Sequence, residues 1–189
     1  MAGLAQDLRY SLRTLLKSPV FLVVAILSLA NMLGRFIWSS ASDVVGRKNI
    51  YRFYLGAGAV LYLVLLFAGN ANKAIFLIAA MLILSFYGAG FATVPAYLRD
   101  LFGTFEVGAI HGRLLTAWSV AGVLGPIIVD AIADKQKAAG LSGTDLYTLS
   151  FRIMIGLLIV GFVCNELIKP VDPKFHEPAG GRAVAKEAA

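Results

Sequence analysis

Apolar residues fall into five long runs, roughly Val20–Ser42, Ile50–Gly69, Ala74–Ala96, Leu114–Ala133 and Leu146–Ile168, separated by short clusters of charge, glycine and proline. A helix needs about 20 predominantly apolar residues to cross a hydrocarbon layer ~30 Å thick, and each run meets that length. The runs are far longer than barrel strands and do not alternate with a period of two. The pattern predicts five membrane-spanning helices. Ahead of them, Leu4, Leu8, Leu12, Leu15 and Leu16 recur at helical spacing opposite Asp7, Arg9, Arg13 and Lys17, which predicts an amphipathic interfacial helix over residues 1–18. Behind them, residues 170–189 are rich in Pro, Gly, Ala and charge, the composition of a mobile tail. The transmembrane domain is then 19–169, and the fold class is an all-α membrane protein.

Composition narrows the function classes. With 59% hydrophobic and 15% charged residues and a mean hydropathy of +0.78, the 189-residue chain is too apolar for an ordinary soluble domain. Its net charge of +6 lies at the ends of apolar runs and forms no continuous stripe, which points to the lipid bilayer as partner and away from nucleic acid. The single cysteine, Cys164, has no intramolecular partner. No nucleotide-binding loop, metal-ligand cluster or nucleophile with a placed base is present in the sequence, so neither an enzyme nor a cofactor is indicated. The N-terminus has an acid in its polar lead and no small-residue cleavage site, unlike a cleaved signal peptide.

Five spans set two sides. One side carries Arg9, Arg13, Lys17, Lys73, Lys135 and Lys137; the other carries Arg47, Lys48, Arg52, Arg99, Arg113, Lys169, Lys174, Arg182 and Lys186. The richer side belongs in the cytoplasm by the positive-inside rule, which puts the Asp43 turn and the C-terminus there, in a cell inner (plasma) membrane. The basic residues of the first 17 positions then oppose the rule.

Candidate chemistry begins at "GRFIWSSASDVVGRKN", residues 34–49. Gly46 can adopt positive φ in a reversal this short. Asp43 can accept backbone amides or pair with Arg47, with Lys48 beside it at the headgroups; the group is either a capped hairpin or a charged latch. Arg35 lies eight residues before Asp43, ~12 Å along a helix and near the middle of the hydrocarbon layer. An ionised arginine at that depth costs roughly 2.5–3.5 kcal/mol on insertion scales, so it should face a cavity, a carboxylate, helix carbonyls or a bound anion. Tyr87 stands at similar depth and can donate its hydroxyl to a carboxylate or to a neighbouring helix. Gly122, Gly125 and Pro126 allow close packing and a kink in the fourth span. His111 opens that span at headgroup level, where a proton-coupling role is conceivable, and Glu166 and Lys169 are spaced to pair at the end of the last span.

The Asp43–Lys48 stretch resembles the loop signature of the major facilitator superfamily, with Ser39 in place of its first glycine and Val44 in place of its first basic residue. Degradation of this kind is frequent in the second copy of the signature, which implies the C-terminal six-helix half. Within the superfamily, residues 31–49 and 102–126 resemble the oxalate/formate antiporter branch, and the likeness runs from about Ala30 to Pro173. It implies that the five spans are transporter helices eight to twelve. In oxalate-transporting relatives an arginine matching Arg35 contacts the substrate carboxylate, and a lysine within a "TAK" stretch supplies a second cation. Here the matching stretch is Thr116-Ala117-Trp118, so the resemblance implies a small monocarboxylate, or a substrate with an apolar part against the indole. Gly122-Val123-Leu124-Gly125-Pro126 resembles the family's glycine-proline exchange motif, displaced to a different helix.

Residues 1–30 resemble the start of a macrolide-export or lipoprotein-release type of ABC permease, in which a basic amphipathic helix precedes the first span on the cytoplasmic side. Two functions follow. The first is a facilitator-type secondary carrier of small organic anions, incomplete alone and needing a separate N-terminal half or a second copy, since five helices cannot enclose a midplane site at the repeat interface. The second is an ABC-permease-like subunit or a non-functional transporter fragment, arising by fusion or as a gene-model artefact.

Overall fold

The computed structural model describes residues 17–69 and 71–172. The amphipathic segment over 1–18 lies outside them except for its last two residues, and the tail over 170–189 lies outside from 173 on.

Five long helices follow in order: α1 Pro19–Val45, α2 Arg47–Ala68, α3 Lys73–Phe102, α4 Val107–Ala138 and α5 Thr148–Leu167, with a short 3-10 turn over Gly143–Tyr147 before α5. Each is long and apolar enough to cross a membrane, and no strand occurs among the described residues. Local sequence explains the boundaries. Pro19 occupies the first turn of α1, where its missing N–H costs nothing, and Ser18 Oγ accepts from Phe21 N at 3.5 Å. Gly46 alone separates α1 from α2; its φ of 89° is a conformation that a side chain would strain. Asn49 donates to the last carbonyl of α1, Val45, at 3.1 Å. Asn72 caps α3 by accepting from Ala74 N at 2.8 Å.

α1 and α2 extend three residues further into the turn than the sequence reading, and α3 and α4 exceed it most. α3 runs through Pro95 to Phe102 rather than stopping at Ala96, and α4 spans 32 residues, from Val107 rather than Leu114. Their apolar cores match the runs in the sequence. Intrahelical hydrogen bonding continues past the hydrocarbon layer into polar termini, because a 32-residue helix is ~48 Å long against a layer of ~30 Å.

Packing divides the bundle into two pairs joined at the centre. α1 lies on α3 and α2 on α5, while α2 also contacts α3. The α1–α3 crossing is the tighter. A Cβ on Gly34 would stand 2.7 Å from Ser85 Cα, and one on Gly88 would stand 3.0 Å from Asn31 Cγ. Polar side chains seal this crossing: Asn31 Nδ2 donates to Leu84 O at 3.1 Å, and Trp38 Nε1 donates to Ser85 Oγ at 2.7 Å. Small residues bring the backbones close, and without a hydrophobic driving force in lipid this contact and its hydrogen bonds hold the helices together. Beside it sits a core of Ile50, Tyr54, Phe86 and Ala89 with Trp38 packed on it; the Trp38 and Phe86 rings meet edge to face at 5.2 Å. α4 is different: none of its residues is buried.

Gly34→Ala is predicted to lower the thermal midpoint of the purified protein in detergent, at a cost of roughly 1–3 kcal/mol for overpacking. Gly122→Ala, where an added Cβ meets nothing within 4 Å, should leave that midpoint within error. Equal midpoints for the two variants would refute the assigned crossing.

Candidate functional site

The α1–α2 hairpin ends in a charge cluster. The Arg47 guanidinium bridges two carboxylates, with Nη2 2.7 Å from Asp43 Oδ1 and Nη1 2.9 Å from Asp100 Oδ2 on α3. Sequence reasoning missed Asp100, although its place in "LRDLF" at the end of an apolar run marks it as a residue at the same level as the turn. Lys48 Nζ donates to Glu166 O at 3.0 Å and Ile168 O at 2.8 Å, placing a cation on the free carbonyls at the C-terminus of α5. Arg52 holds the Glu166 carboxylate in a two-pronged contact, Nε to Oε1 and Nη2 to Oε2, the latter at 2.6 Å. This corrects the expected partner of Glu166: the cross-bundle arginine takes it rather than Lys169, because the planar fork matches both oxygens. Asn165 completes the end, donating to Lys48 O at 3.2 Å and accepting from Tyr97 Oη at 3.0 Å. The hairpin, α3 and α5 are thereby tied together at one end of the bundle.

The three residues expected to touch substrate lie away from this cluster. Arg35 is on α1 and exposed, its Cζ 5.8 Å from the centroid of the Phe91 ring. Phe91 meets Trp118 of α4 edge to face at 4.9 Å, and Trp118 meets Tyr87 at 5.1 Å. Tyr87 is 52% exposed and Trp118 40%, so the row Arg35–Phe91–Trp118–Tyr87 is open at its ends, while its three aromatic members also line a cavity. Phe91 is the member that sequence reasoning missed; its signal was its place one helical turn beyond Tyr87, on the same face. Among the described residues Arg35 has no ion pair, and the aromatic face beneath it leaves its donors free.

Gly122, Gly125 and Pro126 lie farther along α4. The helix continues through Pro126, and a Cβ on either glycine meets no described residue within 4 Å. His111 is half-buried near the start of α4, and its Nδ1 is buried without a hydrogen bond. Between α2, α3, α4 and α5 lies a cavity of about 350 Å³, lined among others by Tyr54, Tyr62, Phe91, His111, Trp118 and Met154. Tyr87, Phe91 and Trp118 belong to this lining as well as to the row beside Arg35. Among the described residues no group of three or more His, Cys, Asp or Glu side chains is placed to hold a metal ion.

Comparison with protein families matches residues 2–187 to the model described as Major Facilitator Superfamily. No curated protein and no solved structure matches the chain.

Removing the bridging guanidinium should loosen the hairpin end by a limited amount, since both of its carboxylates are partly exposed and such pairs are individually weak. Arg47→Ala is predicted to cost about 1–2 kcal/mol, and Arg47→Lys, which keeps the charge but not the fork, about half of that. Chemical denaturation in detergent measures both. Additive losses for Arg47→Ala and Asp100→Asn in a double-mutant cycle would show that the two do not interact.

Proposed function

We propose that this chain, which belongs to the major facilitator superfamily, carries small organic anions, with Arg35 as the residue that meets the carboxylate. The family makes it a multi-pass membrane protein and a facilitator-type transporter; the substrate class is our reading. One observation carries it. An arginine in the interior of a spanning helix has no carboxylate partner among the described residues and lies along an aromatic row. A charge at that depth requires a counter-charge or water, and a guanidinium presents a planar fork that fits a carboxylate. Trp118 stands where oxalate-transporting relatives place a lysine, so one cation serves one carboxylate. A monocarboxylate with a short apolar part against the indole fits this better than a dianion.

The oxalate/formate resemblance supports the same reading, as does the assignment of the five spans to helices eight to twelve. The exposed aromatic row also supports a second set of helices, from another copy or a separate half, closing over the site during alternating access. We place the charged hairpin end and the C-terminus in the cytoplasm on the positive-inside count, and the membrane as the inner (plasma) membrane. For residues 1–30 the permease-like reading rests on their own resemblance and on the charge conflict it resolves; the family match includes this segment from residue 2. A permease-like subunit would co-purify with an ATP-binding protein, which a secondary carrier does not need.

Substrate binding tests the proposal. Formate and pyruvate are predicted to raise the melting temperature of the purified chain in a saturable way, oxalate to do so less, and Arg35→Ala to abolish every shift. Trp118→Lys should reverse the preference towards oxalate. Unchanged shifts in Arg35→Ala would remove the arginine from the site.

A further inference from the structure

We propose that the anion site extends from Arg35 into the cavity lined by the aromatic row, so that its substrate is an arylalkanoate: one carboxylate, a short linker and one neutral ring. The inference rests on the carboxylate reading of Arg35 and adds the body of the substrate to it. Tyr87, Phe91 and Trp118 belong both to the row beside Arg35 and to the lining of the cavity between α2, α3, α4 and α5. A ligand held at Arg35 therefore has this space within reach, and the size and chemistry of the space select what its remainder must be.

The space is large for the smallest anions. An apolar cavity of ~150 Å³ holds a benzene molecule, and this one measures about 350 Å³; formate or pyruvate would leave most of it unfilled. Its wall is almost wholly apolar, so water filling the remainder would find few of the hydrogen-bond partners it needs. Nor is the charge suited to the interior. The lining contains no lysine, arginine or acid, and a carboxylate there would lose its hydration without gaining a permanent counter-charge. The charge stays with the Arg35 guanidinium, and a neutral part enters. Rings decide which neutral part. Tyr62 and Phe86 join the three aromatics of the row in the wall. Such a wall gains offset or edge-to-face contacts with another ring beyond what its area alone provides. A flexible alkyl chain lacks that advantage and loses more conformational freedom on binding. The linker follows from the place of Phe91. Its ring centroid is 5.8 Å from Arg35 Cζ and 4.9 Å from the Trp118 ring, so a carboxylate on the guanidinium and a ring against the indole flank one phenyl group. Two methylenes carry the ligand's ring past Phe91, where the direct bond of benzoate leaves it beside the guanidinium.

The test is equilibrium dialysis of labelled 3-phenylpropionate against the purified chain in detergent, with unlabelled competitors. Binding of 3-phenylpropionate is expected to be saturable and roughly tenfold tighter than that of pyruvate. Benzoate, with its ring held back, and octanoate, without a ring, should each bind several-fold more weakly than 3-phenylpropionate. The uncharged 3-phenylpropan-1-ol and the Arg35→Ala variant should each lose roughly tenfold. Gly90 lines the cavity and an added Cβ there meets nothing within 4 Å. Gly90→Leu should therefore fill the space and bring the dissociation constants of 3-phenylpropionate and pyruvate together, a change of ratio that a loss of folded protein does not produce. The two ways of failing differ. If pyruvate binding needs Arg35 but 3-phenylpropionate binds no more tightly than pyruvate, or keeps its advantage in Gly90→Leu, the ring subsite is overturned and the carboxylate reading stands. If Arg35→Ala leaves 3-phenylpropionate binding unchanged, the carboxylate reading falls and this inference with it. Octanoate binding as tightly as 3-phenylpropionate would make the cavity a seat for an acyl chain and overturn the choice of a ring.

Discussion

The close crossing of α1 over α3 is the constraint from which the rest of the arrangement follows. Each helix contributes one glycine and, three residues away, one polar side chain. Gly34 lies against Ser85, and Gly88 lies against Asn31. The same Asn31 and Ser85 make the hydrogen bonds that seal the crossing. Lipid supplies no hydrophobic force between apolar helices, so association depends on close backbone contact and on hydrogen bonds that would otherwise go unmade. This contact sets the rotation of α1. Arg35, the residue after Gly34, is thereby directed to Phe91, and the end of α1 is brought level with Asp100, where Arg47 bridges the two helices. Turning α1 by one residue, ~100°, would undo both.

The hairpin end distributes its ties unequally. α1, α2, α3 and α5 all enter the network made by Arg47, Lys48, Arg52 and Asn165. α4 does not. It carries no buried residue and meets α3 through the Trp118 contacts with Tyr87 and Phe91. Trp118 therefore sits on the least buried helix, in both the aromatic row and the lining of the cavity. A displacement of α4 would open that row and reshape the cavity in the same movement.

Much of this was legible in the sequence, for a reason peculiar to membranes: every span must satisfy its own backbone, so long apolar runs admit only helices. A glycine-centred reversal between residues 43 and 50 and the charges around it could also be read, because glycine at a reversal and basic residues beside it have direct physical meanings; that Gly46 alone makes the turn could not. Helix ends were less accessible. Pro95 and the polar starts of α3 and α4 give no sign of where hydrogen bonding stops once it has left the hydrocarbon. Long-range partners were least accessible. That Glu166 would face Arg52 depends on the rotation of α5 against α2, and that Phe91 would stand beside Arg35 and Trp118 depends on the rotation set at the Gly34 crossing; spacing along one helix carries no information about either.

The Phe91–Trp118 wall then acquires a double meaning. On its outer side it lies under a guanidinium, whose charge an aromatic face attracts without occupying its donors. On its inner side it closes a space without charge. An aromatic ring is one of the few side chains suited to both, since its face interacts with a cation and its edge with another ring. A lysine at position 118 would carry its charge into that lining, gaining a second cation for a dianion. On the proposed reading, tryptophan at 118 acts on one space in two ways: it leaves a single cation for a single carboxylate, and it keeps apolar the cavity that the aromatic row lines.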